Sequence, residues 1–362
     1  MRLARLALRN YRNYHRLALE LSPTLNVFLG PNAQGKTNLL ESVALLALSS
    51  SPRARRDSEL IGPAAPEASV EATVERERGR AVEVKIRVSE AGERTAKSIR
   101  VDGVARRAVD LPGEVQVTLF WPEDLGLVKG GPDQRRRFLN ELLVQVVPGY
   151  ARRLAAYRRT LEQRNGLLKR VAAGLEPASA LEVWDPSLAE LGGEITVARA
   201  EAVTELAGAA ADHHRVISGG ERLEIRYEGA SGPLADLLPA ARGEDIRRGS
   251  TSVGPHRDDL SIAIDGADAR SYGSQGQQRT AVVSLKLAEA DLMAGRSGER
   301  PLVLLDDVLS ELDAQRRAAL LNGVARQGQV IVTAVDAETF PEAMRADAVV
   351  RCIAQGRVEA CG

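Results

Sequence analysis

Two phosphate-binding signatures lie at opposite ends of this 362-residue chain, and their separation is the feature that most constrains the fold. Residues 30–37 read G-P-N-A-Q-G-K-T, which matches the phosphate loop G-x-x-x-x-G-K-[ST]. The segments 274–278 (S-Q-G-Q-Q) and 302–307 (L-V-L-L-D-D) come more than two hundred residues later. An ordinary compact nucleotide-binding fold closes its site over a shorter stretch. The spacing therefore predicts an ATPase head that is interrupted by an inserted module.

The phosphate loop lies in the context that it requires, between an apolar strand over 25–29 and a helix that begins at Lys36. Glycines at both ends of the loop allow backbone N–H groups to turn inward around the phosphates. Lys36 is predicted to reach the β- and γ-phosphates of ATP as a catalytic cation, and Thr37 to offer its hydroxyl to Mg²⁺. The predicted nucleotide-binding residues of this loop are Gly30, Pro31, Asn32, Ala33, Gln34, Gly35, Lys36 and Thr37.

Two carboxylates end the apolar run over 302–305. A buried strand of this kind delivers a carboxylate to a magnesium-bound water at its C-terminal end, so Asp306 is a predicted metal ligand. Asp307 is the catalytic candidate that orients or polarises the attacking water. Beside a phosphate loop, these roles are favoured over a solvated acidic turn.

The segment Ser274, Gln275, Gly276 and Gln277 opens a predicted helix. A serine hydroxyl, a glycine N–H and a helix dipole together make a second phosphate sensor. Serine is common at helix N-termini, so this segment alone is weak evidence for a phosphate sensor. The stronger evidence is the order along the chain: the serine segment, a helix, the Asp-Asp strand, and then residues 310–313. Asp313 closes that order and is taken as a further nucleotide-contacting residue. Sequence order alone leaves open whether Ser274 folds back beside its own phosphate loop.

Periodicity along the chain predicts an α/β protein of two parts. Alternating strands occupy 69–104, and strand and helix patterns return after residue 254. Residues 132–218 instead have helical spacing without sustained heptads, which predicts a short helical arm. We assign 1–121 and 245–362 to the ATPase head, with mixed sheets and helices, and 122–244 to the inserted arm.

Composition bounds the partners and the compartment. The chain is 44% hydrophobic and 27% charged with zero formal net charge, so any nucleic-acid surface must be a local patch. Two cysteines, Cys352 and Cys361, argue against a disulfide framework and fit a reducing compartment. The N-terminus lacks a signal-peptide pattern, and no apolar run reaches about 18 residues. We therefore expect a cytoplasmic protein without a membrane partner.

The order of these motifs resembles the ABC-type ATPase head along the whole chain. Four stretches narrow the resemblance to the RecF family, bacterial recombination mediators related to SMC proteins: 8–14, 122–139, 254–260 and 274–279. The resemblance implies a two-lobed head with a short helical arm, and ATP and Mg²⁺ as cofactors. It implies an ATP-dependent homodimer in which each serine segment faces the other copy's γ-phosphate. It also implies sequence-nonspecific binding to duplex DNA or single/double-strand junctions, slow hydrolysis, and work with RecR and RecO in loading RecA at gaps.

Departures from the wider ABC pattern leave some roles open. Asp307 stands where most ABC proteins have glutamate, which agrees with a slow, switch-like ATPase. Thr333 stands where many have a switch histidine. The magnesium-sensing glutamine is either Gln116 or replaced by Glu123. Two rival functions remain: a non-hydrolysing clamp that uses ATP only to dimerise, and a transporter ATPase subunit.

Basic side chains outside the motifs are weighed between a solvated face and contact with DNA phosphates. Aromatic residues make up only 3% of the chain, so little base stacking is expected. The loop arginines Arg53, Arg55 and Arg56 are expected near the nucleotide or the dimer face. His213 and His214 are expected at the surface. The arm arginines in question are Arg135, Arg136, Arg137, Arg152, Arg153, Arg158, Arg159 and Arg164.

Overall fold

The computed structural model describes residues 1–77, 79–91, 94–325, 327–336, 340 and 348–361. Within them the chain is a mixed α/β protein with three sheets. Strands and helices are numbered below in chain order.

An antiparallel sheet is formed by the N-terminal part of the chain. In spatial order its strands are β2 (Tyr14–Glu20), β1 (Arg2–Tyr11), β4 (Glu67–Glu75), β5 (Val82–Ala91), β6 (Arg94–Val101) and β7 (Val104–Arg106). The alternation over 69–104 predicted its later strands. The sequence pattern missed β2, which returns along β1 with Tyr11 opposite Tyr14. The turn between them, at residues 12–13, reaches the phosphate loop.

A second, mixed sheet carries the predicted nucleotide motifs. Its spatial order is β15 (Arg357–Ala360), β14 (Ala348–Ala354), β3 (Leu25–Leu29), β13 (Val330–Ala334), β12 (Leu302–Asp306) and β8 (Val117–Phe120). Every neighbouring pair is parallel except β14 with β15. Because the carboxyl ends of parallel strands share one edge, the ends of β3, β12 and β8 meet there. Ligands of α/β sheets bind at such an edge.

Helix α1 (Lys36–Leu48) lies between these two sheets. It is buried almost all round, because Leu40, Val43 and Leu46 share one hydrophobic cluster with residues of both sheets. The helix that follows the phosphate loop is therefore fixed on both sides.

A helical region follows β8. Its helices are α2 (Gly126–Lys129), α3 (Pro132–Val146), α4 (Tyr150–Ala172), α5 (Asp185–Ser218) and α6 (Leu234–Arg248). A small antiparallel sheet joins them, with the order β11 (Ala267–Asp268), β10 (Asp259–Ile264) and β9 (Leu223–Glu228). The remaining helices are α7 (Ala269–Tyr272), α8 (Gln275–Ser297) and α9 (Ala314–Ala325). Short 3-10 helices occupy 57–60, 108–110, 122–125, 178–183 and 308–311.

The helical region packs together with part of the predicted head. Strand β9, inside the predicted insertion, pairs along its length with β10, beyond the predicted boundary at residue 244. Leu223, Ile225 and Leu260 belong to one hydrophobic cluster that also includes residues of α3, α5 and α8. The boundaries of the head and the arm stay a prediction, but this core crosses them.

Helix α8 connects the two parts. Ala281, Leu285 and Ala288 pack into the helical cluster, whereas Val283 and Leu287 pack against the mixed sheet and α9. Helix α8 is therefore part of both hydrophobic cores.

The C-terminal strands correct the expectation drawn from the two cysteines, which argued against a disulfide. Cys352 and Cys361 form a disulfide across the β14–β15 hairpin. Antiparallel pairing places Cys352 opposite Glu359, two residues from Cys361, and so brings the cysteines together. Among the helices of the described residues, none is long and apolar enough to cross a membrane.

Candidate nucleotide site

The phosphate loop is enclosed at its first glycine and its lysine. Lys36 is 5% exposed, and its Nζ donates a 2.6 Å hydrogen bond to the Gly30 carbonyl. A Cβ on Gly30 would lie 2.4 Å from the Ile353 carbonyl oxygen, so only glycine fits beside β14. The lysine is thus folded back across the loop, with its charge inside the cradle that phosphates occupy in such motifs.

Two distant turns brace the middle of the loop. The Gln34 carbonyl accepts hydrogen bonds from Asn13 Nδ2 at 2.9 Å and from the Gly356 N–H at 3.1 Å. Gln34 Oε1 accepts from the Gln355 N–H at 2.8 Å. The buried Tyr14 hydroxyl donates to the Gly35 carbonyl at 2.9 Å. These contacts, from the β1–β2 and β14–β15 turns, hold the loop in shape without any ligand.

Gly35 is required by its backbone conformation. Its φ of 116° lies in the region that favours glycine, and a Cβ there would meet the Asn13 side chain at 2.6 Å. The loop's second glycine therefore permits the turn into α1 and the close approach of the β1–β2 turn.

Asp306 lies at the shared edge beside the phosphate loop. It is 3% exposed and accepts a 2.7 Å hydrogen bond from the Thr333 hydroxyl. Burial raises the pKa of Asp306, and hydrogen bonds from Thr333 and Thr37 partly offset that rise. The structure thus brings Thr37 and Asp306 together, as the sequence predicts. The hydrogen bond from Thr333 holds the Asp306 carboxylate, which differs from the role of the switch histidine that many ABC proteins have at this position.

Thr37 and Asp306 form a donor set suited to Mg²⁺. Magnesium in phosphate-loop sites takes one hydroxyl and one or two carboxylates, with phosphates and water completing the octahedron. In the described part of the chain, no group of three or more histidine, cysteine, aspartate or glutamate side chains is arranged to hold a metal. The two oxygen donors fit a magnesium ion that arrives with phosphates. These residues do not form a complete metal cage.

Asp307 follows in a left-handed turn. Its φ is 54°, its N–H donates to the Thr333 carbonyl at 3.2 Å, and its own carbonyl accepts from the Ser310 hydroxyl at 2.7 Å. Aspartate and asparagine tolerate this conformation better than glutamate does. The backbone thus gives a local reason for the shorter acid at this position.

The serine segment caps helix α8 at an exposed position. Ser274 Oγ accepts from the Gln277 N–H at 3.2 Å, while Gln277 Oε1 accepts from the Ser274 N–H at 2.8 Å, which makes a capping box. Gln277 Nε2 also donates to Glu221 Oε1 at 2.9 Å. Ser274 and Gln275 are exposed. The segment presents a hydroxyl and the positive end of a 23-residue helix to solvent.

Asp313 lies next to this segment through α9. Its carboxylate accepts from the Arg316 N–H at 2.9 Å and forms an ion pair with the Arg316 side chain. These contacts lower the pKa of Asp313. Arg316 Nε donates to the Thr280 hydroxyl on α8 at 2.7 Å. The structure brings Asp313 and the serine segment onto one face.

No hydrogen bond or ion pair joins residues 274–278 to residues 30–37 in the described part of the chain. The loop is tied to the N-terminal and C-terminal turns, whereas the serine segment is tied to Glu221 and α9. Within one molecule, each half of the predicted site is thus held by its own polar contacts and by none from the other half among the described residues.

Comparison with known proteins identifies the family. The family model described as the RecF/RecN/SMC N terminal domain matches residues 2–358. The DNA replication and repair protein RecF of Chloroflexus aurantiacus is 43% identical over 368 residues, which covers 92% of this chain and 93% of that protein. RecF of Symbiobacterium thermophilum is 43% identical over 356 residues, covering 93% and 92%. The chain belongs to the RecF family.

Solved structures agree with this assignment. Two structures of the recombination mediator protein RecF in the RecFOR pathway, with ATPγS and with ATP, match at TM-scores of 0.91 and 0.90 and 31% identity. They cover 100% and 99% of this chain, and 98% and 97% of those chains. An Smc head bound to the C-winged helix domain of ScpA matches at a TM-score of 0.59 and 15% identity, covering 99% and 96%, and shares the fold. The predicted ABC-type head fold is confirmed.

Two of the stretches that marked the RecF family pack against each other. Arg135 of α3 forms a bidentate ion pair with Asp259, with bonds of 2.7 and 2.8 Å. Arg136 donates to the Asp258 carbonyl at 2.7 Å. His256 Nε2 donates to the Thr251 carbonyl at 3.0 Å, and His256 Nδ1 lies 2.6 Å from the Tyr157 hydroxyl. These contacts favour a packing role for both stretches.

Several residues that were expected at the surface are buried in the structure. Arg164 is fully buried and bonds Asp185 at 2.8 Å and Asp245 at 2.7 Å. His214 is also fully buried, with Nε2 3.4 Å from Glu221, and burial lowers its pKa. For Arg135 and Arg164, burial contradicts both alternatives, a solvated face and contact with DNA phosphates, and the expected surface position is wrong for His214. A helix that is buried on several sides gives no clean polar stripe, so periodicity could not reveal these positions.

The strand register decides between Gln116 and Glu123. Val117 to Phe120 pair in parallel with 302–305, so Gln116 lies at the edge opposite Asp306. Gln116 is buried there and donates to the Gln145 carbonyl at 3.2 Å. Glu123 follows the end of β8 on the correct edge and is exposed. The register therefore excludes Gln116, and Glu123 stays the candidate for the magnesium-sensing side chain.

Proposed function

We propose that this chain is an ATP-dependent DNA-binding protein of recombinational DNA repair and replication. The observation that carries the proposal is the enclosed loop with Lys36, Thr37 and Asp306, together with an exposed Ser274 segment whose hydrogen bonds within the described residues go elsewhere. A second copy supplies what each loop lacks. RecF relatives described with ATP and ATPγS support the nucleotide, and the family name supports the process.

ATP binding begins at the loop. Lys36 leaves the Gly30 carbonyl for the β- and γ-phosphates, while the loop N–H groups and the α1 N-terminus bind their oxygens. Thr37 and Asp306 would hold Mg²⁺, whose positive charge would offset the negative charge of the phosphates. No conformational search is required of the loop, because its two bracing turns already fix it.

Dimerisation then completes each site. The Ser274 hydroxyl, the Gly276 N–H and the α8 dipole of one copy bind the γ-phosphate held by the other. Asp307 orients the attacking water, so that slow hydrolysis opens the pair and acts as a switch. ADP lacks the shared phosphate and leaves the two copies apart.

DNA is held in the closed state through its phosphates, without base readout. RecR, and RecO with it, are proposed partners in loading RecA at gaps, because solved relatives are described in the RecFOR pathway. The proposed location is the cytoplasm. Membership of the RecF family removes the support for a transporter subunit.

A non-hydrolysing clamp differs from this proposal in one measurable respect. Multiple-turnover release of phosphate from ATP, measured with duplex DNA present, supports the switch. Dimerisation and DNA binding with less than one phosphate released per site over hours would support the clamp.

The deciding experiment sizes the protein by light scattering with no nucleotide, ADP or ATP, each with and without duplex DNA. We expect a monomer without ATP, a dimer with ATP, and DNA in the dimer fraction only. A protein that stays monomeric with ATP at tens of micromolar contradicts the proposal.

The salt dependence of DNA binding tests the interaction with DNA phosphates. Arg55, Arg158 and Arg159 are exposed, and alanine at all three should reduce the slope of log K against log salt by about one for each DNA phosphate that the variant no longer neutralises. The matched control replaces the exposed arginines Arg222, Arg226 and Arg247, which pair with carboxylates. An unchanged slope in both triple variants places the DNA surface elsewhere.

A further inference from the structure

Arg316 of α9 lies directly over Gly276, the glycine of the serine segment. Its Nη2 is 3.1 Å, and its Cζ 3.3 Å, from the point where a Cβ on Gly276 would be. Gly276 has no positive φ, so its conformation does not require glycine. The space that Gly276 leaves is filled by the Arg316 guanidinium.

The guanidinium is held there by specific contacts. Nε donates to the Thr280 hydroxyl on α8 at 2.7 Å, and Nη1 pairs with the Asp313 carboxylate. These two contacts direct Nη2 toward Gly276. Arg316 is 29% exposed and Asp313 is 51% exposed, so the ion pair faces solvent. An exposed pair of this kind is weak enough to exchange partners.

The position of this cation is unfavourable on its own. The first turn of a helix carries partial positive charge on its free N–H groups, and it favours an anion rather than a guanidinium. Asp313 compensates the charge in the isolated molecule. Because the guanidinium lies beside Gly276, a phosphate bound at the Gly276 N–H would lie near Nη2.

We propose that Arg316 contacts the γ-phosphate of the ATP held by a second copy of this chain. The inference rests on the proposed function, in which the serine segment meets that phosphate. On closure the guanidinium exchanges the Asp313 carboxylate for the phosphate oxygen. Asp313 is then released at the shared face, where it is free to contact the second copy. No covalent bond is made or broken in this step; only ion pairs are exchanged.

The test compares Arg316→Ala, Arg316→Lys and the charge-matched control Arg317→Ala. Arg317 is on the same helix, but its guanidinium bonds the Leu309 and Leu312 carbonyls instead of α8. Nucleotide affinity is measured on dilute monomer with ATP and with ADP. The dissociation constant of the dimer is measured by sedimentation with ATPγS and Mg²⁺, and unfolding is followed without nucleotide.

Arg316→Ala should bind ATP and ADP as the parent monomer does and unfold at the parent temperature within about 2 °C. Its ATPγS dimer should be about 10- to 100-fold weaker, as expected when a charge-assisted hydrogen bond is removed. Arg316→Lys should recover part of that affinity, because lysine keeps the positive charge but lacks the paired N–H donors of the guanidinium. Arg317→Ala should dimerise like the parent.

Two outcomes overturn the proposal and can be told apart. If the parent dimerises with ATPγS and Arg316→Ala does so within about twofold, Arg316 does not touch the phosphate and the proposed function survives. If the parent itself stays monomeric, the proposed function fails and this proposal fails with it. A loss of dimer that is equal in Arg316→Ala and Arg317→Ala assigns the effect to the packing of α9 and also refutes the contact.

Discussion

The phosphate-loop half of the site and the serine half are built in opposite ways. The loop is buried at Lys36 and braced by turns that come from both ends of the chain. The serine segment is exposed at Ser274 and Gln275, and its hydroxyl caps its own helix. The loop is already shaped to bind phosphates, whereas the serine segment presents an exposed helix N-terminus to solvent.

Because of this difference, the affinity of the monomer for ATP and the formation of the dimer depend on different halves of the site. In a cradle with a preformed backbone, ATP binding requires little rearrangement beyond the Lys36 side chain, so single changes in the loop act on the affinity of the monomer for ATP. An exposed cap acts only when a second surface arrives. The two halves therefore predict two classes of variant, which the following changes are chosen to distinguish.

Lys36→Met should have the largest effect, because it removes the cation inside the cradle. Two charge-assisted hydrogen bonds to phosphates are removed, so ATP affinity should fall about 10³-fold, and dimerisation should fail with it. Isothermal titration with ATP measures the first effect, and light scattering the second. Parental affinity would place the phosphate-binding cation elsewhere.

Ser274→Arg should break assembly alone. The monomer should bind ATP normally, since Lys36, Thr37 and Asp306 are unchanged. The long side chain fills the shared face and removes the cap of α8, so the ATP-bound dimer should weaken about 10³-fold. Sedimentation with ATP measures the dimer. A variant that dimerises like the parent refutes the trans arrangement.

Mixing Ser274→Arg with Lys36→Met sharpens this test. The heterodimer contains one complete composite site, formed by the intact Ser274 of one copy and the intact Lys36 of the other. The opposite site lacks both. Phosphate release from the mixture, absent from each variant alone, supports action across the dimer.

Asp307→Asn should retain ATP binding and the dimer but lower turnover about 10²-fold, because an amide cannot take a proton from water. Asparagine tolerates the left-handed backbone of this residue, so the fold should be unaffected. Single-turnover phosphate release measures the rate, and light scattering shows whether the dimer persists. Turnover at the parental rate means that another group activates the water.

Local patterns were sufficient to predict the loop, the acidic strand end and the serine cap. Each is a short segment whose own residues set its conformation, such as Gly35 at positive φ or Ser274 at an N-cap. The prediction that Thr37 and Asp306 lie close together needed only the rule that the carboxyl ends of parallel strands share one edge. The order of motifs then indicated the family.

What local patterns missed depends on distant partners. Strand β2 is recognisable only beside β1, and the role of Thr333 only beside Asp306. In sequence, Arg164 resembles any helical arginine, because its partners Asp185 and Asp245 come from later segments of the chain. The same holds for Gly276, because nothing near it in sequence indicates that Arg316 fills its space.

Two glycine-to-alanine changes give the smallest and most selective comparison of the halves. Gly35→Ala places a Cβ at positive φ and 2.6 Å from Asn13 Nδ2, so it should destabilise the fold by about 1–3 kcal/mol and weaken ATP binding in the monomer. In Gly276→Ala the three atoms nearest the added Cβ all belong to the flexible end of Arg316, the nearest at 3.1 Å.

Gly276→Ala should therefore leave the fold as stable as the parent or slightly more so, since alanine suits a helix better than glycine by about 1 kcal/mol. ATP affinity in the monomer should be unchanged. The added methyl displaces the guanidinium from the cap, so the ATPγS dimer should weaken several-fold, by less than in Arg316→Ala. Thermal unfolding, titration and sedimentation on the same preparation measure the three quantities. If Gly276→Ala instead lowers stability as much as Gly35→Ala does, then both glycines serve the fold, and the contrast between a braced loop and an open cap does not extend to them.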